Sequence, residues 1–547
     1  MISKKKLYMR VAALQFQTTS HVPENLNTCL RLIDEAALQS PNLMVLGEFS
    51  NHLSWYDDQK HAWEVALEIG GNFLQKIAEK ARRHSCYIDI NVTLRRAENT
   101  ITVTSLLYDP EGQLIAEADK QTLMGHENIY FERASAPSPV IETPYGRLGL
   151  FPCRDGVTFE TPRGLALRGA QLFCDSLNSF ALDEATLHVP ARAPENKCFL
   201  VSANKVGPLI PEILLNEVAR ATQIPKNFLY GAGGSQIVHP NGTILARASL
   251  DKEEVIVADI CLSEADDKSR PDGTHLFTAR RPDLYTDIVD ENACIDCGAA
   301  QAEVKAVTLS VTSVNDLLAQ ALVIDPWVKI IVLSGNFIAK ESELEQIIQI
   351  CKPYDWSLCT RALIEEDQFV VLIGKGKILA QQKQIHKSHR SASKTLAKEL
   401  ITLDLEWGRV AMMHSDDAAY PEIVKVAALK GIHTLLVPAD FQEQWEWQYG
   451  LPSRAAENRI CVIAADKEKS MIASLEREFT IMTTWEERQF DGKINEPLLA
   501  WQVRGKPYLE ALFHPQAACN KVMSEATDLL KDRPWFLSEA LIKEEHQ

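Results

Sequence analysis

Gly146-Arg147-Leu148-Gly149-Leu150-Phe151-Pro152-Cys153-Arg154-Asp155 and, in the second half of the chain, Gly408-Arg409-Val410-Ala411-Met412-Met413-His414-Ser415-Asp416-Asp417 share one outline. Each begins with a Gly-Arg pair, continues as an apolar run of strand length and ends in a polar cluster. Three further pairs keep the same order along the chain. Leu43–Phe49 is echoed by Ile330–Asn336, Gly112-Gln113-Leu114-Ile115-Ala116 by Gly376-Lys377-Ile378-Leu379-Ala380, and Arg192-Ala193-Pro194-Glu195-Asn196 by Arg454-Ala455-Ala456-Glu457-Asn458. Four matches in one order predict two copies of one fold. The copies span residues 1–290 and 303–547, with the Asp-rich, Cys-containing stretch 283–302 as the join.

Working outward from the quoted strand, the first copy alternates short apolar runs with helical periodicity. Val11–Gln15 reads as a strand, and Pro23 opens a helix whose Leu26, Leu30, Ile33 and Ala37 recur at three- and four-residue spacing. The buried run Leu43-Met44-Val45-Leu46 ends at Gly47-Glu48, and Phe73, Leu74, Ile77, Ala78 and Ala81 mark a second amphipathic helix. Strand-like Tyr87–Val92 and Ile101–Tyr108 lead into the turn Asp109-Pro110-Glu111-Gly112. Leu148–Phe151, Gln171–Phe173, Phe199–Ala203, Gln236–Val238 and Val255–Ile260 complete the strands, and the pattern is α/β, with helices layered on sheets.

Composition bounds the function. The 547 residues are 46% hydrophobic and 24% charged with 25 Gly and 25 Pro, which is ordinary globular usage and excludes collagen-like and mostly disordered chains. Asp and Glu outnumber Lys and Arg by 74 to 57, so the formal charge of −17 disfavours nucleic acid and anionic membrane as partners. The basic start Met1–Lys6 is followed by Arg10 where a signal peptide would be apolar, and no uninterrupted apolar run reaches spanning length. The expectation is a soluble, cytoplasmic protein. Its twelve Cys suit a reducing compartment, mostly as buried small residues. Cys294-Ile295-Asp296-Cys297 stands apart as a CxxC, but a zinc or redox site there needs partners from elsewhere, since no second CxxC or His pair is near it.

Three polar residues end buried runs in the first copy: Glu48, Lys120 and Cys153. Strand ends are where α/β folds gather their sites, because loops converge there above a rigid sheet. Singly, such residues are a solvated carboxylate, an exposed amine and core filler. Together they suffice for acyl transfer: a carboxylate takes the thiol proton, the thiolate attacks, and an ammonium stabilises the oxyanion.

These positions and their flanks resemble the nitrilase superfamily of carbon–nitrogen hydrolases. The motifs are Leu46-Gly47-Glu48-Phe49, Asp119-Lys120-Gln121-Thr122-Leu123 and Pro152-Cys153-Arg154-Asp155-Gly156. Supporting segments are Arg192–Asn196, Gly234-Ser235-Gln236-Ile237-Val238, Pro240-Asn241-Gly242 and Arg281-Pro282-Asp283-Leu284-Tyr285. The resemblance covers nearly all of 7–290. It implies an α-β-β-α sandwich with Glu48 as general base, Cys153 as nucleophile and Lys120 holding the oxyanion beside the backbone N–H of Arg154. It also implies a second glutamate orienting the substrate amide, for which Glu127 is the candidate and Glu132 the fallback. Arg154 is a candidate for attracting a substrate carboxylate, unless its side chain turns away to Asp155 or Glu160. His126 is either pocket lining or an exposed loop residue, and Arg192, Glu195 and Asn196 are expected to tie a loop to the sheet.

The second copy departs at each catalytic position: Gly335 stands for Glu48, Gln384 (or Lys383 with a one-residue shift) for Lys120, and Ser415 for Cys153. Neighbouring His414, Ser415 and Asp416 cannot supply a serine-triad geometry. The expectation is a non-catalytic copy that takes a partner subunit's place, making an internal pseudo-dimer, with a homo-oligomer beyond it left open. Because Arg154-Asp155-Gly156 follows the thiol, where nitrilases commonly carry Trp-Glu, the resemblance favours an amidase that releases ammonia through a thioester. N-carbamoyl compounds and nitriles are the alternative substrates, and a non-catalytic binding protein is the alternative of another class. A glutaminase feeding a synthetase is disfavoured, because Gly231-Ala232-Gly233-Gly234 leads into a strand and not into a helix as a P-loop does. An acyltransferase is disfavoured too, since its best-known branch is membrane-anchored. No metal or organic cofactor is expected; His386 and His389 lie in a Lys-rich, loop-like stretch. Substrate choice is assigned to the loops 51–60 and 207–230.

Overall fold

In the computed structural model, which describes residues 7–391 and 393–544, the N-terminal stretch Met1–Lys6 lies outside the described residues. The first strand, β1 (Met9–Gln15), is apolar on both sides, and both sides are used. Val11 and Ala13 enter the layer between two sheets, whereas Ala12 and Leu14 meet helices. Side chains alternate along a strand, so a strand buried on both faces reads as a continuous apolar run.

One six-stranded sheet contains β1, β2 (Leu43–Leu46), β3 (Tyr87–Arg95), β4 (Ile101–Tyr108) and β5 (Leu114–Asp119). The other is built from β6 (Val140–Thr143), β7 (Gly146–Pro152), β8 (Leu172–Ser176), β9 (Phe199–Ala203), β10 (Gln236–Val238) and β11 (Ile244–Arg247), and β12 (Glu254–Ile260) returns to the first sheet beside β1. Their orders are β12-β1-β2-β3-β4-β5 and β11-β10-β9-β8-β7-β6. At the centre of each sheet three strands run parallel, β1-β2-β3 and β7-β8-β9, so their C-terminal ends lie together. Helices Val22–Ala37 and Asn72–His84 cover the outer face of the first sheet with Leu32, Ile33, Leu74 and Ile77.

Residues beyond 303 repeat this order. The strands β13 (Val304–Leu309), β14 (Val328–Leu333), the short β15 (Ile338–Lys340), β16 (Ser357–Ile364), β17 (Asp367–Gly374) and β18 (Lys377–Lys383) form one sheet closed by β25 (Tyr508–Phe513). The other runs through β19 (Thr402–Leu405), β20 (Gly408–Met412), β21 (Thr434–Pro438), β22 (Cys461–Ala465), β23 (Met471–Ser474) and β24 (Leu498–Trp501). With β15 set aside as a side strand on β16, each sheet has the strand order of its counterpart.

The two halves meet through helices. One apolar core joins Phe159, Val189 and Ala193 to Ile423, Val424 and Leu451. Within it, helices Val189–Asn196 and Leu451–Asn458 bring together four buried charges. Arg192 pairs with Glu195 at 2.5 Å and with Glu457 at 2.8 Å, and Arg454 pairs with Glu457 and Glu195, each at 2.7 Å. Arg192 and Glu195 therefore bind across the halves; Arg192 also holds the turn after Cys153 by donating from Nε to Gly156 O at 2.9 Å, and the Asn196 amide donates to Arg192 O at 2.9 Å. His386, in its loop-like stretch, does have an acidic neighbour. It is buried, stacks on Tyr420 at 3.9 Å between ring centroids, and bonds Asp417 at 2.9 Å and the Tyr285 hydroxyl at 2.5 Å. A Lys-rich neighbourhood in sequence concealed an acidic partner brought in by β20.

Candidate active site

Glu48 follows β2, Lys120 follows β5 and Cys153 follows β7, so each stands where a buried strand stops. The Lys120 ammonium is wholly buried. It donates to Glu48 Oε1 at 2.7 Å and lies 2.8 Å from Glu127 Oε2. Glu127 opens a single helical turn, Glu127–Tyr130, that the chain makes seven residues after the lysine. Its carboxylate also accepts the Met124 N–H at 2.9 Å, which fixes its direction. Glu132 is exposed and takes no part in this cluster.

Cys153 stands at a sharp turn between β7 and the helical turn Arg154–Val157, with φ +43° and ψ −103°. This backbone is unfavourable for a residue with a Cβ and persists because its surroundings hold it. The Cys153 N–H bonds Ser176 O at 2.9 Å. Two residues on, the Asp155 carboxylate accepts the N–H groups of Gln121 and Thr122, each at 2.8 Å, and so ties the cysteine turn to the lysine loop. The thiol stands beside Glu48 and near the backbone N–H of Asn178, just beyond β8.

The electrostatics follow from burial. It pushes Glu48 up to about 8, with Lys120 pulling the other way and Glu127 adding to the rise. Burial works against the Lys120 charge, yet Glu127 and Glu48 together hold it protonated and raise it well above the ordinary lysine value. Burial, Glu48 and Glu184 raise the thiol, with Lys120 opposing them. The resting cluster is thus a neutral thiol beside a carboxylate basic enough to take its proton, with a permanent cation at hand.

A cavity of about 380 Å³ reaches this cluster at Glu127. Glu127, His126 and Asn178 line it together with Trp55, Phe180, Leu209, Ile210 and Leu229. The second half adds Ile481, Met482, Ser524 and Glu525 to its wall. His126 is fixed there by its Nε2, 2.9 Å from Ser54 O. Arg154 is not among the lining residues. Its guanidinium is buried in the field of Glu160, Asp155 and Glu184, and its Nε and Nη1 have no hydrogen-bond partner there. The loops 51–60 and 207–230 each supply lining residues.

Sequence reasoning passed over Asn178 and Glu184. Asn178 obeys the strand-end rule after β8 and was legible on that ground. Glu184, pushed up to about 7 by burial and by Asp183, sits in an irregular helical segment with no signal around it.

The second half builds the same backbone without the groups. Gly335 N–H bonds Ala439 O at 2.8 Å as Glu48 N–H bonds Leu177 O at 3.0 Å. Ala397 N–H bonds Gln384 O at 2.8 Å as Ala134 N–H bonds Lys120 O at 2.9 Å, which places Gln384, and not Lys383, opposite Lys120. Asp417 accepts the His386 N–H at 2.7 Å in the manner of Asp155. Ser415 then stands opposite Cys153, but its backbone is helical and the strained turn is gone.

A sequence model of the carbon–nitrogen hydrolase family matches residues 10–269. The chain is similar to a nitrilase from Pyrococcus abyssi, 27% identical over 279 residues that make up 51% of this chain and 99% of that protein. It is also similar to an omega-amidase from Bos taurus, 28% identical over 288 residues covering 50% of this chain and 96% of that protein. To an N-carbamoylputrescine amidase from Solanum tuberosum it is 25% identical over 301 residues, 52% of this chain and 96% of that protein. Through its first half, the chain belongs to the carbon–nitrogen hydrolases of the nitrilase superfamily.

Proposed function

We propose that the protein is an amidase for substrates with an apolar acyl group, and that Cys153 carries the reaction as nucleophile. The supporting observation is the cluster of Lys120 between Glu48 and Glu127, with a strained Cys153, of which Glu127 lines a cavity walled by Trp55, Phe180, Leu209, Ile210, Leu229 and Ile481.

Glu48 takes the thiol proton as sulfur attacks the amide carbon, and the carbonyl oxygen becomes an oxyanion held by Lys120 and the Arg154 N–H. The C–N bond breaks, the nitrogen leaves with the proton from Glu48, and a thioester remains. Water then gives a proton to Glu48 and attacks the thioester carbon; the C–S bond breaks, the acid departs and the thiol is restored. Glu127 orients Lys120 and the substrate amide. The cavity offers no buried cation for a carboxylate at the far end of the acyl group, which is why an apolar acyl is favoured over an acidic one.

The second half contributes no nucleophile in this reading; it takes the place of a partner subunit and closes the cavity. The test is ammonia release from a panel of aliphatic and aromatic amides, N-carbamoyl compounds and nitriles, with Cys153→Ala as the blank. Release from amides with long or aromatic acyl groups that vanishes in the variant is expected. Turnover of only carbamoyl compounds or nitriles would replace the amidase reading, and activity surviving in Cys153→Ala would remove the thiol from it.

A further inference from the structure

Apart from Cys153, three cysteines of this chain are not fully buried, and they meet in one place. Cys294 and Cys297 are partly exposed and Cys519 is exposed, whereas the other eight are buried. Cys294, Cys297 and Cys519 line one surface cavity of about 220 Å³, together with Lys521 and Asp528. Cys297 Sγ, Cys519 Sγ and a ring nitrogen of His433 all lie within 4.8 Å of one another. These residues come from the join, from the C-terminal segment and from the residue before β21, so the fold alone assembles them.

The hydrogen bonds of His433 decide what this trio suits. Its Nδ1 accepts the backbone N–H of Arg409 at 2.9 Å, so the neutral ring carries its proton on Nε2. Nε2 is the atom facing Cys519 Sγ, at 3.6 Å. A protonated nitrogen donates to a thiolate and cannot ligate a metal, and a metal-bound histidine would turn an N–H toward the Arg409 N–H. Among the described residues no fourth His, Cys, Asp or Glu joins the three at that spacing, whereas structural zinc takes four ligands. Around the sulfurs stand an imidazole N–H and the Lys521 ammonium, itself held by Asn458 O at 2.9 Å and Arg459 O at 2.7 Å.

We propose that Cys297 and Cys519 form a thiol–disulfide exchange site that is oxidised by low-molecular-weight disulfides. The Cys297 thiolate attacks one sulfur of the small disulfide, a new S–S bond forms, and one small thiolate leaves. That thiolate takes the proton of Cys519, whose sulfur then attacks Cys297 Sγ and expels the second small thiolate, which solvent protonates. Two protein thiols are oxidised to one disulfide and one small disulfide is reduced to two thiols. The division of labour agrees with the surroundings: the nearness of Cys519 and His433 and the charge of Lys521 draw Cys297 down to about 4, while Cys297 raises Cys519, whose S–H is held by Gly298 O at 3.3 Å. A low thiolate pKa, exposure and a neighbouring resolving thiol are what such exchange requires.

The position gives the bond a structural consequence. Cys519 ends the turn Pro515–Cys519, and a few residues later Ser524 and Glu525 form part of the wall of the first half's cavity. A disulfide to Cys297 ties that wall segment covalently to the join.

The experiment uses the full chain, reduced and desalted without oxygen, then equilibrated with glutathione disulfide at graded ratios and mapped by mass spectrometry after acid quench. A Cys297–Cys519 linked peptide is expected, and at pH 6 iodoacetamide should alkylate Cys297 about tenfold or more faster than Cys294 or Cys519. Cys519→Ser should stop at glutathione on Cys297, and Cys297→Ser should leave Cys519 reduced. The wild-type map needs no variant to fold. Absence of the link at every ratio, or alkylation of Cys294 or Cys519 ahead of Cys297, would overturn the proposal. So would one equivalent of zinc in the isolated protein that shields Cys297 and Cys519 until chelated.

Discussion

At Cys153 the backbone and the chemistry make opposite demands. A residue with φ +43° and ψ −103° is better as glycine, yet only a thiol there supplies a nucleophile. Cys153→Gly is therefore expected to be more stable than Cys153→Ala by about 1 kcal/mol in urea unfolding, reversing glycine's usual penalty, while both lose about 10⁴-fold or more in kcat/KM. Glu48 sets the pH dependence. The general base must be ionised to take the thiol proton, and burial places its ionisation at about 8. The rate should climb as pH rises toward about 8 and then level, in a pH profile of kcat/KM; a profile flat from pH 5 to 9 would show that another group takes the proton. Lys120→Met should leave Glu48 and Glu127 facing each other uncompensated. Glu48 and Lys120 were legible as strand-end polar groups, but their mutual distance was not, because a strand end fixes position along one element only.

Among the elements, helices Val189–Asn196 and Leu451–Asn458 carry the same Arg-x-x-Glu spacing, which sets Arg and Glu on one face of each helix. Placed against each other, they form a closed ring of four buried ion pairs. Removing one partner leaves a buried charge alone, so Glu457→Gln should cost about 3–5 kcal/mol, whereas replacing all four with apolar residues should cost much less. The ring also responds to acid. Arg192 and Arg454 overcome burial to hold Glu195 down at about 2, below its value in the unfolded chain. Its stabilisation is complete above the unfolded carboxylate range near pH 4.3 and is lost as pH falls toward about 2. Thermal unfolding between pH 5 and 2 should be steeper for the native chain than for Glu195→Gln. The repeat of this motif was plain in the sequence, and Arg192 does tie a loop, through Gly156 O; its partner Glu457 lies on the other helix, in the other half, where no local reading reaches.

Across the whole molecule, the second half appears as wall and support. The apolar core between the halves and the cavity residues Ile481 and Met482 belong to it. A fragment ending at residue 302 exposes that core face and opens the cavity, and should self-associate or aggregate in light scattering where the full chain does not. Met482→Ala is expected to raise KM for long acyl amides several-fold with kcat little changed, since it enlarges the far end of the cavity and touches no reacting group. Among the described residues no helix is long and apolar enough to cross a membrane.

Periodicity and order along the chain were enough to read alternating layers, the repeated motifs and the succession Glu48, Lys120, Cys153, because strand burial and turn chemistry are local properties written residue by residue. What the tertiary structure decided is every meeting between distant segments. Glu127, and not Glu132, closes on Lys120; Arg154 is buried in the field of Glu160, Asp155 and Glu184; residues 481–482 and 524–525 wall a site in the other half; and Cys297, His433 and Cys519 converge. Those outcomes depend on how two sheets and two helical faces pack, a choice made by the shape and charge of whole surfaces, which no single stretch of sequence contains.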